Sequence, residues 1–265
     1  MDFLDAFELM TGGGAIAAFV LFVVRTTTMV LQAPILGFGS GFSSYRIALI
    51  ISLAGVLYMV HGEPLSDAEL APITLGAMAL REALIGFFLG SLLRLVTLAL
   101  HVTGEMIAHE MGFMIARQVD PATGVQTTLI TGLYENMFLL ALLALNGHHW
   151  LLRGLADSFV RAPVGELFLS DGLVDAILRL FTQMFEAGLV LAAPVMVFLA
   201  LTSISIGLLA RAVPQLNIME LGFSIRVSVA FGALVLFSPM LEPSLTSLNG
   251  MFVDWLHHGL DALEG

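Results

Sequence analysis

The sequence predicts an all-α fold, a multi-helix integral membrane protein of long kinked helical hairpins, and three observations carry that expectation. Hydrophobic residues make up 58% of the 265 positions and mean hydropathy is +0.96, above the roughly 45–50% apolar share of a soluble domain. The apolar residues come in runs too long for strands and without alternation, which means helices. Finally, nearly every run carries an ionisable residue, and only 187–210 is both charge-free and long enough to cross a bilayer as about twenty helical residues.

The opening MDFLDAFELM spaces Asp2, Asp5 and Glu8 three apart, opposite Phe3, Leu4 and Phe7, an amphipathic start without the positive region of a cleaved signal peptide. The apolar segments then run approximately 15–33, 46–60, 71–110, 128–155, 172–211 and 217–241, followed by an amphipathic tail over 244–265. Ala33-Pro34, His61-Gly62-Glu63-Pro64, Ala162-Pro163-Val164-Gly165 and Val213-Pro214 punctuate them, and Ser170 or Asp171 is an N-cap candidate. As straight helices the third and fifth segments would each measure about 60 Å, twice a hydrocarbon core. They must kink, fold back as hairpins, or extend beyond the membrane.

The chain reads as one domain, because no linker, low-complexity tract or repeat interrupts it. Net charge is −11, and the ten basic residues are all arginine with no basic stripe, so nucleic acid is not an expected partner. The absence of lysine removes Schiff-base and P-loop chemistry, and the absence of cysteine removes disulfides, thiol nucleophiles and thiolate metal sites. No cofactor and no metal is expected.

The residues inside apolar runs are Arg25, Arg81, Glu82, Arg94, Glu105, Glu135, Glu186, Arg211 and Arg226. A charge at a helix centre costs about 2.5–3.5 kcal/mol on insertion scales, so other helices, packed subunits or a water-filled passage must receive these side chains. Glu82, Gly86, Gly90 and Arg94 fall at spacings of four and put a GxxxG pair between opposite charges. Such a stripe serves an ordinary close-packed helix face or a charge-paired seam to a partner subunit. His101, Glu105 and His109 form a second stripe; paired polar residues explain it better than a metal site, since Phe113 breaks the HExxH pattern after His109-Glu110.

Met111 to Gln126 interrupts this pattern. Asp120-Pro121 and Gly124 forbid a continuous helix, yet Phe113, Met114, Ile115 and Val119 are poor residues to leave in water as a surface turn. Irregular backbone at membrane depth is tolerated where protein buries it or a cavity adjoins it, so the stretch is either a headgroup-level loop or a deformable Phe/Met seal. Beyond it, Asn146-Gly147-His148-His149-Trp150 ends an apolar run as an interfacial anchor.

With these residues on the page the chain resembles the FliR family of the flagellar type III export gate, whose injectisome relatives are similar in architecture. The likeness rests on Gly104 to Met111 leading into Val119-Asp120-Pro121, on ALNGHHWLL at 144–152 with Asn146, Gly147 and His148, and on LAAPVMVFLALTSISIGLLARAVPQLNIMELGF at 191–223 with Pro214 and Gln215. It spans roughly 33–243. Glu220 departs from the apolar residue expected after PQLNI.

The resemblance implies one subunit of a helical ring completed by FliP-like and FliQ-like subunits, docked by an FlhB-like switch protein, in the bacterial inner membrane at the flagellar basal body. It also implies a FliP-like part over about 1–170 and a FliQ-like hairpin over 171–243. Unfolded export substrates would pass through the pore, beside membrane lipid, and Met111 to Val119 falls where the family has a plug loop. On this reading the protein does no bond chemistry. Gly112, Phe113, Met114 and Ile115 would occlude the pore and Asp120-Pro121 would end the plug; separately, the position of the embedded charges inside apolar helices predicts that they pair across subunit boundaries.

Two other classes compete. A proton-coupled carrier would use Glu105, His109, Glu135 and Glu186 as a relay, but no repeat is detectable and charge-free spans are few. An intramembrane serine enzyme would need a nucleophile motif, and neither Gly39-Ser40-Gly41 nor Gly222-Phe223-Ser224-Ile225 fits GxSxG.

Overall fold

A computed structural model of the chain describes residues 13–34, 44–66, 70–112, 128–165, 172–213, 218–261 and 263. Every regular element among them is an α-helix: α1 Gly13–Gln32, α2 Ser44–His61, α3 Pro72–Met111, α4 Leu129–Ala144, α5 Gly147–Arg161, α6 Gly172–Ala212 and α7 Ile218–Asp261. Five are long and apolar enough to cross a membrane, or six spans if the bent pair α4 and α5 is counted as one.

The apolar runs and their Gly/Pro breaks become helices where the sequence places them, with three refinements. The expected segment over 128–155 is two helices meeting at 71°. Asn146 between them adopts φ 58°, a left-handed conformation that asparagine accepts more readily than most residues. Second, 71–110 and 172–211 do not fold back: α3 has 40 residues and α6 has 41, with Pro194 inside the latter. Third, the tail expected over 244–265 is not a separate element, because α7 runs on through Pro239 and Pro243 to Asp261. A proline removes one backbone donor and costs about 3 kcal/mol in a helix interior, and here flanking helix on both sides outlasts that penalty.

The chain forms two compact units. The first comprises 1–95, 146–180 and 251–265. Its core contains Phe22, Met29, Ile85, Phe88, Leu89, Leu92, Leu155, Phe159, Phe252 and Leu256, all at most 4% exposed. The α1 and α3 backbones approach so closely that a Cβ on Gly86 would strike the Arg25 carbonyl, and one on Gly90 would lie 2.6 Å from the Met29 carbonyl. The glycine stripe of α3 is therefore an internal seam, the ordinary packing face of the two readings offered for it.

The second unit comprises 96–145 and 181–250. Here the latter part of α3 is gripped on two sides. A Cβ on Gly104 would lie 2.7 Å from Thr131 Oγ1 of α4, and one on Gly188 of α6 would lie 2.7 Å from the Ala99 carbonyl. Thr103 Oγ1 donates to the Gly188 carbonyl at 2.8 Å. The remaining faces of α6 and α7 stay apolar and open, including Leu189, Val190, Val197, Leu201, Val235 and Leu236.

Candidate functional site

In the first unit the embedded charges converge. Arg25 of α1, wholly buried, donates from Nε to Glu82 Oε2 of α3 at 2.5 Å. Its Nη1 donates to the Ser158 carbonyl at 2.7 Å and its Nη2 to the Ala162 carbonyl at 2.7 Å. These are carbonyls at the C-terminal end of α5, where the helix dipole is negative; the Ser158 carbonyl also accepts from the Ala162 N–H at 3.0 Å. Arg81 Nη1 spans Glu82 Oε1 at 3.1 Å and the Pro163 carbonyl at 2.8 Å. Phe159 lies stacked on Phe22 with centroids 4.1 Å apart and sits 4.1 Å beneath the Arg25 guanidinium, adding a cation–π contact. One carboxylate, two guanidiniums and three backbone carbonyls thus form one buried node binding α1, α3 and α5.

This node revises the expected placement of the charges across subunit boundaries. Arg81 and Glu82 pair inside the chain because helix α1 brings Arg25 directly over them, and the Gly86–Gly90 seam supplies the close approach. The sequence singles out Arg25 as an interruption, but its carbonyl partners carry no side-chain signature. Arg94, Glu186 and Arg211 are exposed.

In the second unit the stripe His101, Glu105 and His109 faces α4 with its first two members. His101 Nδ1 meets Glu135 Oε1 at 2.8 Å, each side chain about one-third exposed at 34% and 30%. Glu105 Oε1 accepts from Thr131 Oγ1 at 2.9 Å and from the Thr128 backbone N–H at 3.4 Å. Thr128 is itself the N-cap of α4, its hydroxyl accepting from Thr131 N–H at 3.2 Å. His109 is exposed and lines an open cavity of about 420 Å³ with Glu105, Met106, Glu110 and Met196. Among the described residues no group of three or more His, Cys, Asp and Glu is placed to hold a metal ion. Thr128 and Thr131 were not identifiable from sequence, since hydroxyls near a helix start are ordinary caps.

Of the expected plug residues, Met111 is buried at the last turn of α3, and Gly112 follows with φ 84°. Phe113, Met114, Ile115, Val119, Asp120 and Pro121 lie outside the described residues, as do Pro214 and Gln215. Asn146 and Gly147 form the bend between α4 and α5, and His148 lies 4.2 Å from the His149 ring. Trp150 is flanked by Arg153 and, edge-on at 5.7 Å, by His257 near the end of α7. The motif read as an interfacial anchor therefore also joins α5 to α7.

The chain is similar in sequence to known proteins over most of its length. A family model described as "Bacterial export proteins, family 1" matches residues 16–251. The flagellar biosynthetic protein FliR of Bacillus subtilis (strain 168) is 32% identical over 221 residues, covering 82% of this chain and 85% of the relative. The FliR protein of Escherichia coli (strain K12) is 28% identical over 83% of this chain and 84% of its own length. That of Caulobacter vibrioides is 26% identical over 92% and 93%.

Proposed function

The chain belongs to the FliR family of bacterial export proteins, membrane-embedded components of the flagellar export apparatus, and on that footing we propose that it is a wall-and-plug subunit of the protein-conducting gate. The observation that carries this reading is the contrast between the Arg25–Glu82–Arg81 node, satisfied within the chain, and the open apolar faces of α6 and α7. In their most apolar stretches α6 and α7 are only 22% and 17% buried, against 61% for α3. Helices of 41 and 44 residues are about 60 Å or more in length, twice what a bilayer covers. Neighbouring helical subunits cover the remainder.

Those neighbours are FliP-like and FliQ-like subunits in a helical hetero-oligomer of the bacterial inner membrane, with an FlhB-like switch protein docked against it. The part up to about 170 is the FliP-like portion and 171–243 the FliQ-like hairpin. Unfolded flagellar substrates pass through the pore, and Met111, Gly112, Phe113, Met114 and Ile115 close it, with Val119, Asp120 and Pro121 setting the plug's exit. The protein works as a conduit and performs no bond chemistry. Deleting 113–116 tests the reading: with assembly intact, ion permeability rises or export changes. An assembled complex that stays tight and exports normally overturns the plug.

A further inference from the structure

Helix α7 carries two prolines one turn apart, Pro239 and Pro243, and each removes the N–H that would satisfy the carbonyl four residues before it. For Pro239 that carbonyl belongs to Val235, and the chain supplies another donor: the Ser238 hydroxyl donates to it at 2.9 Å. For Pro243 the carbonyl belongs to Pro239, and among the described residues no side chain donates to it. The inward side of α7 is marked by Ala230 and Ala233, both buried, and by Phe237, whose ring meets Phe198 of α6 edge-on at 5.6 Å. Val235, Pro239 and Glu242 recur at helical spacing on the other side, and all three are exposed. Side chains on a helix lean back toward its N-terminus, so the one at 242 lies beside the carbonyl of 239. No described residue pairs with the Glu242 carboxylate. Around these two acceptors Val235, Leu236 and Met240 leave apolar surface open.

We propose that this acceptor pair, the Pro239 carbonyl and the Glu242 carboxylate, is the docking point for an arginine of a neighbouring gate subunit. The proposal rests on the reading that other subunits cover the open faces of α6 and α7, and it names the chemistry one of them brings. Two adjoining acceptors on a covered face need donors, and a lipid chain has none to offer. A guanidinium has five, in a planar fork that reaches a carbonyl and a carboxylate at once. The first unit uses this combination internally: Arg81 Nη1 joins Glu82 Oε1 to the Pro163 carbonyl, and Arg25 joins the same carboxylate to the carbonyls of Ser158 and Ala162. The Pro239–Glu242 pair repeats the acceptor half of that arrangement on an outward face. Charge balance points the same way, since 21 acidic residues against ten arginines favour a basic partner surface.

The test uses the complete gate complex, assembled in membranes around this full-length chain, with two readouts: the yield of assembled complex and the thermal midpoint of the chain purified alone in detergent. Glu242→Arg sets a cation against the neighbour's arginine and is expected to cut the yield several-fold at an unchanged midpoint, because Glu242 has no partner among the described residues. Glu242→Gln, which keeps an acceptor but no charge, loses less. Pro243→Ala returns an N–H to the Pro239 carbonyl; it raises the midpoint, as removing a proline from a helix interior does, yet lowers the yield. A charge exchange identifies the donor: with Glu242→Arg in place, changing one arginine to glutamate in the neighbour that cross-links to Val235→Cys restores assembly. If Val235→Cys cross-links to a neighbour but Glu242→Arg assembles as well as the parent, arginine docking is wrong and the wall reading stands. If only a lipid-borne reagent labels Val235→Cys, the covered face and the docking point fall together. A loss of yield that merely follows a lowered midpoint, or that no arginine exchange in the neighbour relieves, makes Glu242 structural and overturns the proposal.

Discussion

Arg25 and Glu82 lie 57 residues apart in the chain and meet at 2.5 Å, with side chains 0% and 1% exposed. Around that contact lie a second guanidinium and three carbonyls, those of Ser158 in the last turn of α5 and of Ala162 and Pro163 just beyond it, which accept from the two arginines. A buried ion pair contributes little net stability compared with an apolar replacement, but breaking one side strands the other charge. Glu82→Ala leaves two buried guanidiniums facing each other, so the expected loss is about 3–5 kcal/mol. Because all partners are in this chain, the defect shows before assembly, as faster proteolysis of the freshly made chain. Normal protease resistance of Glu82→Ala would refute the node's structural role.

The Gly86–Gly90 seam yields a graded prediction. A methyl on Gly86 meets the Arg25 carbonyl, whereas one on Gly76 of the same helix meets nothing within 4 Å. Overpacking of a tight interface costs about 1–3 kcal/mol, and relieving glycine's helix penalty gains up to about 1 kcal/mol. Gly86→Ala should lower the thermal midpoint of the detergent-solubilised chain while Gly76→Ala leaves it equal or higher. Similar shifts for the two would remove the close approach as the reason for glycine there.

How much of this was legible beforehand differs by level. Helix positions follow from apolar runs and from Gly/Pro breaks, because lipid and packing both demand such runs and proline and glycine end them. The bend at Asn146 had a local signal in Asn146-Gly147, although a run of apolar residues on both sides hid the direction change. The continuity of α7 was hidden because the apolar run reads as ending near 241, whereas the helix continues to Asp261 with Pro239 and Pro243 inside it. The node was half visible. A sequence shows that Arg25 needs a partner, but not that α1 lies over Glu82, and it never shows which backbone carbonyls the guanidinium will reach.

The open faces of α6 and α7 invite a direct measurement, since the chain contains no cysteine. Val235 is 74% exposed in the middle of α7. A single Val235→Cys should cross-link to a second protein in the assembled complex at short reach. Labelling of Val235→Cys by a lipid-borne reagent alone, with no cross-link, would assign that face to lipid and count against the wall reading.

The end of α7 gives the sharpest contrast between what a sequence suggests and what packing does with it. The sequence reads 244–265 as an amphipathic tail. In the structure, residues 251–265 belong to the first unit, and Phe252 and Leu256 are 0% and 1% exposed. The Leu256 side chain occupies the space where a Cβ on Gly154 would stand, and Phe88 lies 2.7 Å from where one on Gly259 would stand. The polar tie at the same end is different: Arg161 meets Asp261 at 2.5 Å with side chains 27% and 66% exposed. An exposed pair of this kind contributes about 0–1 kcal/mol, whereas emptying a buried leucine site costs about 2–5 kcal/mol. Asp261→Ala is therefore expected to leave the thermal midpoint nearly unchanged, and Leu256→Ala to lower it clearly. A stop codon after Gly250 should abolish recovery of folded protein, because the first unit lacks a wall of its core until the last residues of α7 are made. Recovery of a stable chain ending at Gly250 would return the segment to the status of a tail.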